Sequence, residues 1–308
     1  MAVPTNTLVS SSLLGVSNRE DLSDIIYRIS PTQTPVLNLA SKAKATNTKH
    51  EWQVQDLASA ASNAQAEGDT IAAKTVTVPV RLNNNTQISA KVVSVSGTQQ
   101  AVTSAGWKEA MGYQMGLASL EIKRDMENDL TQASVTATSP RASRGLRGWC
   151  VDNVNHNSST LASYTGNTAY STGTLRNFSE SQIKDVLQKV YTAGGEPDTI
   201  MLPPALKQTF SGFTGNATRF DKSEDAKLYA SVDFYVSDFG SLQCVPNRFM
   251  ATRDVFVIDS SKVAIAYLRP FASMELAKAG DADLREIIVE WTMEARAPKA
   301  LGAVYDVN

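Results

Sequence analysis

The 308 residues include 29 lysines and arginines and 31 aspartates and glutamates, a formal net charge of −2. This balance argues against a dedicated nucleic-acid-binding protein, whose affinity would come from clustered basic side chains that neutralise phosphates. Two cysteines, Cys150 and Cys244, argue against a disulfide framework, and no segment resembles a signal peptide or a membrane span, so we expect an intracellular, soluble protein.

Residues 1–48 are rich in serine, threonine and asparagine, with scattered apolar residues such as Leu13, Val36 and Leu37. A short helix is predicted over residues 19–30, and the prolines that follow it end the helix. This composition predicts an N-terminal arm that attaches to the rest of the protein at a few apolar points.

Residues 49–98 change to an alternation with period two, which predicts long strands. The intervening residues 58–74 are small and polar, so they suit the tip of a projecting β-ribbon. The apolar strand residues have no adjacent local core, and we therefore expect them to contact another subunit. The residues proposed for this subunit interface are Trp52, Val76, Val78 and Ile88.

Residues 104–134 predict one helix of roughly 40 to 45 Å, which would have to run along an elongated body. Its apolar stripe is expected to pack as a core against residues 287–293 of the tail. A coiled coil is the alternative, although the stripe lacks a leucine or isoleucine heptad. The predicted core residues are Trp107, Met111, Ile122, Met126 and Leu130.

Charged residues on this helix and just after it could serve a subunit interface. Lys123, Arg124 and Asp125 could form surface salt bridges or an inter-subunit charge network. Arg141, Arg144 and Arg147 form the main basic cluster, which leaves two uses open. They could contact DNA, or they could form salt bridges to a neighbouring subunit, which we favour.

Residues 141–262 predict an α/β lobe. Ser179 and Gln182 have the spacing of a capping box at the start of a helix, and Gly194 and Gly195 end that helix. Two strands around residues 254–271 are expected to be joined by a tight turn at residues 259–262. In the tail, alternation predicts a half-exposed strand with Glu290, Thr292 and Glu294 on its polar face. A second strand follows it.

The order of arm, ribbon, long helix, α/β lobe and returning strands resembles the Hong Kong 97-type major capsid fold of tailed bacteriophages. The segments TPVLNLASKAKATNTKHEWQVQDLA, NTQISAKVVSVSGTQQAVTSAG and LEIKRDMENDL look like parts of a phage major head protein. The resemblance implies an α+β fold made of five consecutive parts. These are an arm (1–48), an extended β-ribbon loop (49–98), a spine helix (99–140), an α/β axial domain (141–262) and returning strands of the peripheral domain (263–308).

The resemblance also implies a function. The chain would assemble in the host cytoplasm into hexamers and pentamers of an icosahedral phage head, with portal and decoration proteins as further partners. It would touch the packaged double-stranded DNA weakly and non-specifically, and it would not contact a membrane. The alternative is a tail or other tubular component of the phage particle.

Catalytic chemistry has little support in the sequence, so we expect neither an enzyme nor a cofactor or metal site. His50 and His156 are the two histidines. Cys150 and His156 lie six residues apart but lack a third orienting group, which makes them a weak nucleophile pair. The resemblance raises one further question, because one member of this fold class joins its subunits through isopeptide bonds from lysine. Lys74 and Lys91 lie in the predicted ribbon, but no local motif supports such a bond. We therefore expect non-covalent assembly.

Overall fold

The computed structural model describes residues 30–68, 70, 76–102, 104, 106–213, 234–278 and 280–308. The helices in these residues are α1 (Pro35–Leu39), α2 (Gly97–Ala101), α3 (Ala110–Gln132), α4 (Leu146–Trp149), α5 (Glu180–Thr192) and α6 (Pro204–Ser211). The strands are β1 (Ser41–Lys44), β2 (Lys49–Val54), β3 (Val80–Asn85), β4 (Gln87–Ser96), β5 (Ala137–Thr138), β6 (Arg141–Ala142), β7 (Asn153–Asn155), β8 (Thr199–Leu202), β9 (Phe234–Ser237), β10 (Gly240–Pro246), β11 (Val255–Ile258), β12 (Val263–Leu276), β13 (Ala282–Ala295) and β14 (Gly302–Val304).

A four-stranded sheet in the order β1-β12-β13-β4 forms the peripheral layer, and α3 packs on one face of it. Alternate residues of β13 point toward α3, because successive side chains of a strand face opposite sides. Ile287, Val289, Trp291 and Met293 are buried in one core cluster with the apolar stripe of α3. The packing partner proposed from the sequence is therefore the one observed.

The spine helix is shorter than the sequence indicates. It begins at Ala110 rather than residue 104, and its 23 residues span about 35 Å. Gly106 has a φ of 88°, a left-handed conformation that interrupts helical continuation between α2 and α3. Trp107 consequently lies before the helix and is half-buried, stacked on Tyr113 at 5.2 Å. The other four predicted stripe residues, Met111, Ile122, Met126 and Leu130, are buried.

A six-stranded sheet in the order β7-β14-β11-β8-β10-β9 forms the second lobe. Helix α5 begins with the capping box that the sequence predicts: the Ser179 side chain accepts from the N3 backbone, and Gln182 accepts from the Ser179 amide at 3.2 Å. Ile183, Val186 and Val190 of α5 pack in a second core cluster with β8, β11 and β14.

Strands β11 and β12 do not form the expected pair. A 3₁₀ turn, Ser260–Lys262, connects them, but β11 belongs to the six-stranded sheet and β12 to the four-stranded sheet. The Asp259 side chain accepts from the Ser261 amide and starts this turn. The connection thus carries the chain from one lobe to the other instead of closing a hairpin.

The ribbon proper is formed by β2 and β3, which pair antiparallel from Lys49↔Asn85 to Val54↔Val80. Strand β4, which the sequence places in the same ribbon, pairs with β13 instead. Ile88 therefore lies in the peripheral sheet. Val76 and Val78 lie outside any strand, next to Pro79, which has no amide hydrogen for a ladder.

The N-terminal part of the described chain attaches to the peripheral layer. Strand β1 pairs in parallel with the start of β12, and Val36 of α1 is buried in the main core cluster. The helix predicted over residues 19–30 lies outside the described residues apart from Ser30. No helix in the described ranges is both long and apolar enough to cross a membrane.

Candidate assembly surface

Aromatic packing anchors the base of the ribbon to the chain's own body. Trp52 lies on the side of the ribbon facing the body, its ring centroid 5.3 Å from that of Trp149, and its Nε1 donates to the Ala295 carbonyl at 2.9 Å. His50 Nε2 lies 3.2 Å from a carboxylate oxygen of Glu294. Trp52 therefore packs within its own subunit, which corrects the expectation that its strand face has no local core.

A buried amide fixes the position at which the ribbon joins the body. Asn84 is fully buried, and its Nδ2 donates to the carbonyls of Met293 at 2.7 Å and Arg144 at 3.0 Å. Its Oδ1 accepts from the Arg144 amide at 2.9 Å. Each of these groups would be costly to leave unpaired in the core. The amide thus joins β3, β13 and the segment after β6.

Beyond this base, the ribbon presents apolar side chains that nothing in the described chain covers. Leu57, Val76, Val78 and Val80 are between 58% and 94% exposed. Val78 and Val80 line a groove of about 360 Å³ between the ribbon and the body, whose other wall includes Tyr164 and Pro298. Four aliphatic side chains this exposed make these residues a candidate interaction surface.

A second uncovered apolar surface lies on the peripheral sheet, on the face opposite α3. The strand registers align Ile88 with Glu290, Ala90 with Ile288 and Val92 with Glu286 on β4 and β13. Met274 of β12 lies opposite Glu286 from the other side. Ile88, Val92 and Met274 are 43% to 53% exposed. We call Ile88, Ala90, Val92, Ala272, Met274 and Ile288 the outer sheet patch.

The outer face of β13 is not exposed along its whole length, which corrects the expected half-exposed strand. Glu290 and Thr292 are buried beneath the base of the ribbon and the β5–β6 segment. Glu290 accepts from Thr86 at 2.9 Å, Arg141 at 2.6 Å and Arg269 at 2.8 Å. Burial alone would raise the pKa of Glu290, but these donors and both arginine charges hold it below its ordinary value.

The arginine cluster is used inside the subunit. Arg144 is almost fully buried, stacks on Trp149 at 5.1 Å and donates to the Tyr164 carbonyl at 3.1 Å. Burial lowers its pKa to about 10. Arg147 donates through Nε to Asp254 at 2.8 Å, and Arg141 pairs with Glu290. These internal contacts argue against the uses expected from the sequence, contact with DNA or with a neighbouring subunit.

Of the α3 residues proposed for a charge network, Lys123 and Asp125 are exposed and Arg124 is half-buried, and all three make contacts inside the chain. Asp125 and Glu121 both pair with Lys91 of β4, at 3.2 and 2.9 Å. Lys123 lies over the ring of Phe271, and Arg124 over that of Phe249. Asp125 thus forms a surface salt bridge within its own subunit, which was one of the two uses considered for it. Lys91 is held in this network, and Lys74 lies outside the described residues.

The candidate nucleophile pair is not assembled. Cys150 is buried, and burial raises the pKa of its thiol far above the ordinary value, while His156 is exposed in a separate loop. Such a thiol is unreactive because the thiolate is the nucleophile. In the part of the chain that the structure describes, no group of three or more histidine, cysteine, aspartate or glutamate residues is arranged to hold a metal ion.

The sequence did not reveal Asn84 or Glu290 as anchors of the ribbon. Asn84 sits in a run of three asparagines, and Glu290 alternates with apolar residues in the way an exposed strand residue would. Their partners lie far away in the chain, 209 residues for Met293 and 204 for Thr86. Local pattern carries no information on such distant pairs.

Comparison with known proteins agrees with this architecture. The chain is 28% identical over 319 residues to the major capsid protein of Escherichia phage Phieco32, spanning 90% of this chain and 91% of that protein. The capsid asymmetric unit of cyanophage A-1(L) superposes with a TM-score of 0.66 at 12% identity, over 99% of this chain and 98% of that one. The capsid of a native GTA particle gives a TM-score of 0.65 at 13% identity, over 99% and 100%.

These structural likenesses confirm the expected Hong Kong 97-type α+β fold, although at such low identity they concern the fold alone. The sequence evidence goes further, since a family model described as SU10 major capsid protein matches residues 3–308. That match covers the arm, the ribbon, the spine helix and both sheets. The chain therefore belongs to the SU10 major capsid protein family.

Proposed function

We propose that this phage major capsid protein assembles into hexamers and pentamers of an icosahedral head that encloses double-stranded DNA. One observation carries the proposal: the chain bears two uncovered apolar surfaces, the exposed ribbon residues and the outer sheet patch. Neither surface is satisfied within the described chain, and apolar area of this kind favours association. Family membership and the likeness to capsid structures support the same conclusion.

The two surfaces differ from each other, and this matters for the symmetry of the contact. When one patch on a subunit binds a different patch on the next, the contact is heterologous, and it generates a ring if the rotation closes. We propose that Leu57, Val76 and Val78 of one subunit pack on the outer sheet patch of the next. The buried base at Trp52 and Asn84 would fix the direction in which the ribbon leaves its own subunit.

A pair of neighbouring substitutions tests the donor side of this contact. Val78→Asp places a charge on the apolar surface, whereas Thr77→Asp adds the same charge at the adjacent exposed residue. On the receiving side, Val92→Asp is matched by Ser94→Asp on the same face of β4. We expect both valine variants to fold with native circular dichroism but to form few shells in electron microscopy. Normal shells from both valine variants would overturn the proposed contact.

Deletion of residues 58–74 tests the role of the ribbon tip as a whole. The base of the ribbon lies outside the deletion and keeps its contacts with Ala295 and Met293. We expect a folded protein that no longer forms shells. Tubes formed by the unaltered chain would instead favour the alternative, a tail component, for which the family match gives no support.

The remaining features of the proposal concern partners and location. As a capsid protein the chain is a component of the virion, and we propose that it assembles in the host cytoplasm and joins portal and decoration proteins. Its balanced charge is compatible with only weak, non-specific contact with packaged DNA, and Arg141 and Arg147, which pair inside the subunit, would not supply that contact. A structural protein of this kind requires no catalytic step.

A further inference from the structure

A glutamate of the spine helix binds the start of the N-terminal helix. Glu127 of α3 is fully buried. Its Oε1 accepts from the backbone amide of Val36 at 2.8 Å and from Asn247 Nδ2 at 2.7 Å, and its Oε2 accepts from the amide of Leu37 at 3.0 Å. One carboxylate thus joins the N-terminal segment, the spine helix and the end of β10.

These contacts take the place of a local helix cap. Helix α1 begins with Pro35, and the preceding Thr34 makes no side-chain hydrogen bond to the first turn. The amides of Val36 and Leu37 would otherwise be unsatisfied donors at a helix N-terminus. A negative charge is favoured at that end of a helix. Glu127 therefore caps α1 from a position 91 residues further along the chain.

Among the described residues, hydrogen bonds and no ion pair compensate for burying this carboxylate. Lys123 and Arg124, one turn earlier on α3, lie over the rings of Phe271 and Phe249, and neither forms an ion pair with Glu127 in the described chain. Burial is the largest influence on the Glu127 pKa and raises it, against the opposing effect of the three donors. If α1 left its site, two of those donors would be lost together.

We propose that Glu127 is a positioning residue that holds residues 34–44 on the spine helix. Release of α1 would remove two of its three hydrogen bonds and would free β1 to separate from β12. We call this set of contacts the latch; it acts together with the packing of Val36 in the main core cluster and the pairing of β1 with β12. Only the biological purpose of this contact rests on the proposed assembly; the contact itself does not.

Limited proteolysis with trypsin tests the latch without requiring assembly, so its failure is distinct from failure of the proposed function. Lys42 and Lys44 lie in β1, whose backbone pairs with β12, and we expect cleavage there to require release of the segment, because proteolysis acts on locally opened chain. Glu127→Gln keeps the shape but turns an amide NH₂ toward one of the donors. Glu121→Gln is the control, because it makes the same charge change on the same helix without touching α1. Cleavage after Arg285, in β13, reports opening of the sheet as a whole.

We expect Glu127→Gln to speed cleavage after Lys42 and Lys44 by about tenfold or more relative to cleavage after Arg285, the ratio for losing one hydrogen bond to a carboxylate. Trypsin should cut the Glu121→Gln variant after Lys42 and Lys44 at the same rate as the unaltered protein. Two results would overturn the inference. One is an unchanged rate at Lys42 and Lys44 in Glu127→Gln. The other is an equal acceleration at all three sites, which would make Glu127 a general core stabiliser.

Discussion

The indole Nε1 of Trp52 donates a hydrogen bond to the carbonyl of Ala295 at 2.9 Å, and this contact ties the ribbon to the last residue of β13. Trp52→Ala should lower the free energy of unfolding by about 3 kcal/mol, because it also removes the packing on Trp149. Trp52→Phe keeps a ring and should cost about 1 kcal/mol. Denaturant unfolding of the unassembled protein measures the loss of unfolding free energy in each variant. Equal losses for Trp52→Ala and Trp52→Phe would contradict the role of the ring.

The spine helix offers a comparison between two residues that the sequence placed on one stripe. Leu130 is fully buried, whereas Trp107 precedes the helix and is half-buried. Leu130→Ala should lower the free energy of unfolding by about 2 to 5 kcal/mol. Trp107→Ala should cost less. The same denaturant melts decide the order, and a larger loss for Trp107→Ala would contradict the half-buried position of Trp107.

Arg147 balances a buried carboxylate and should be needed for folding rather than for DNA contact. Asp254 is fully buried, and Arg147→Met would leave its carboxylate without this partner, at a cost of about 3 to 5 kcal/mol. The matched control is Arg81→Met, since Arg81 pairs with Glu51 on the exposed ribbon and its loss should leave the unfolding free energy nearly unchanged. Thermal melts that coincide for Arg147→Met and the unaltered protein would refute this role.

Glu127 should also make stability depend on pH. Burial raises its pKa above the ordinary 4.5 in the folded protein, so the folded form binds this proton more tightly than the unfolded form. The unfolding free energy therefore falls as pH rises from 4.5 through the raised pKa. Relative to Glu127→Gln, the unaltered protein should lose stability across that window. A difference between the two proteins that stays flat with pH would contradict the assignment.

Local sequence patterns predicted those elements whose signals lie within a few residues. The capping box of Ser179 and Gln182 located the start of α5, and alternation in β13 identified Ile287, Val289, Trp291 and Met293 as the inner face. These predictions succeeded because capping and alternation depend on neighbours along the chain.

The same patterns failed where a side chain's partner lies far away in the chain. Arg147 and Asp254 are 107 residues apart, so a basic cluster that looked like a surface feature proved to be internal. Strand β4 has the alternation of a ribbon strand, but its partner β13 comes from the other end of the chain. Neither pairing leaves a trace in local periodicity.

An electron-microscopy reconstruction of the shells formed by the unaltered protein tests the central claim most directly. The account predicts that Leu57, Val76 and Val78 of each subunit lie within van der Waals contact of Ile88, Val92 or Met274 on the neighbouring subunit. Ribbon valines that face solvent, or that contact only their own subunit, would contradict it.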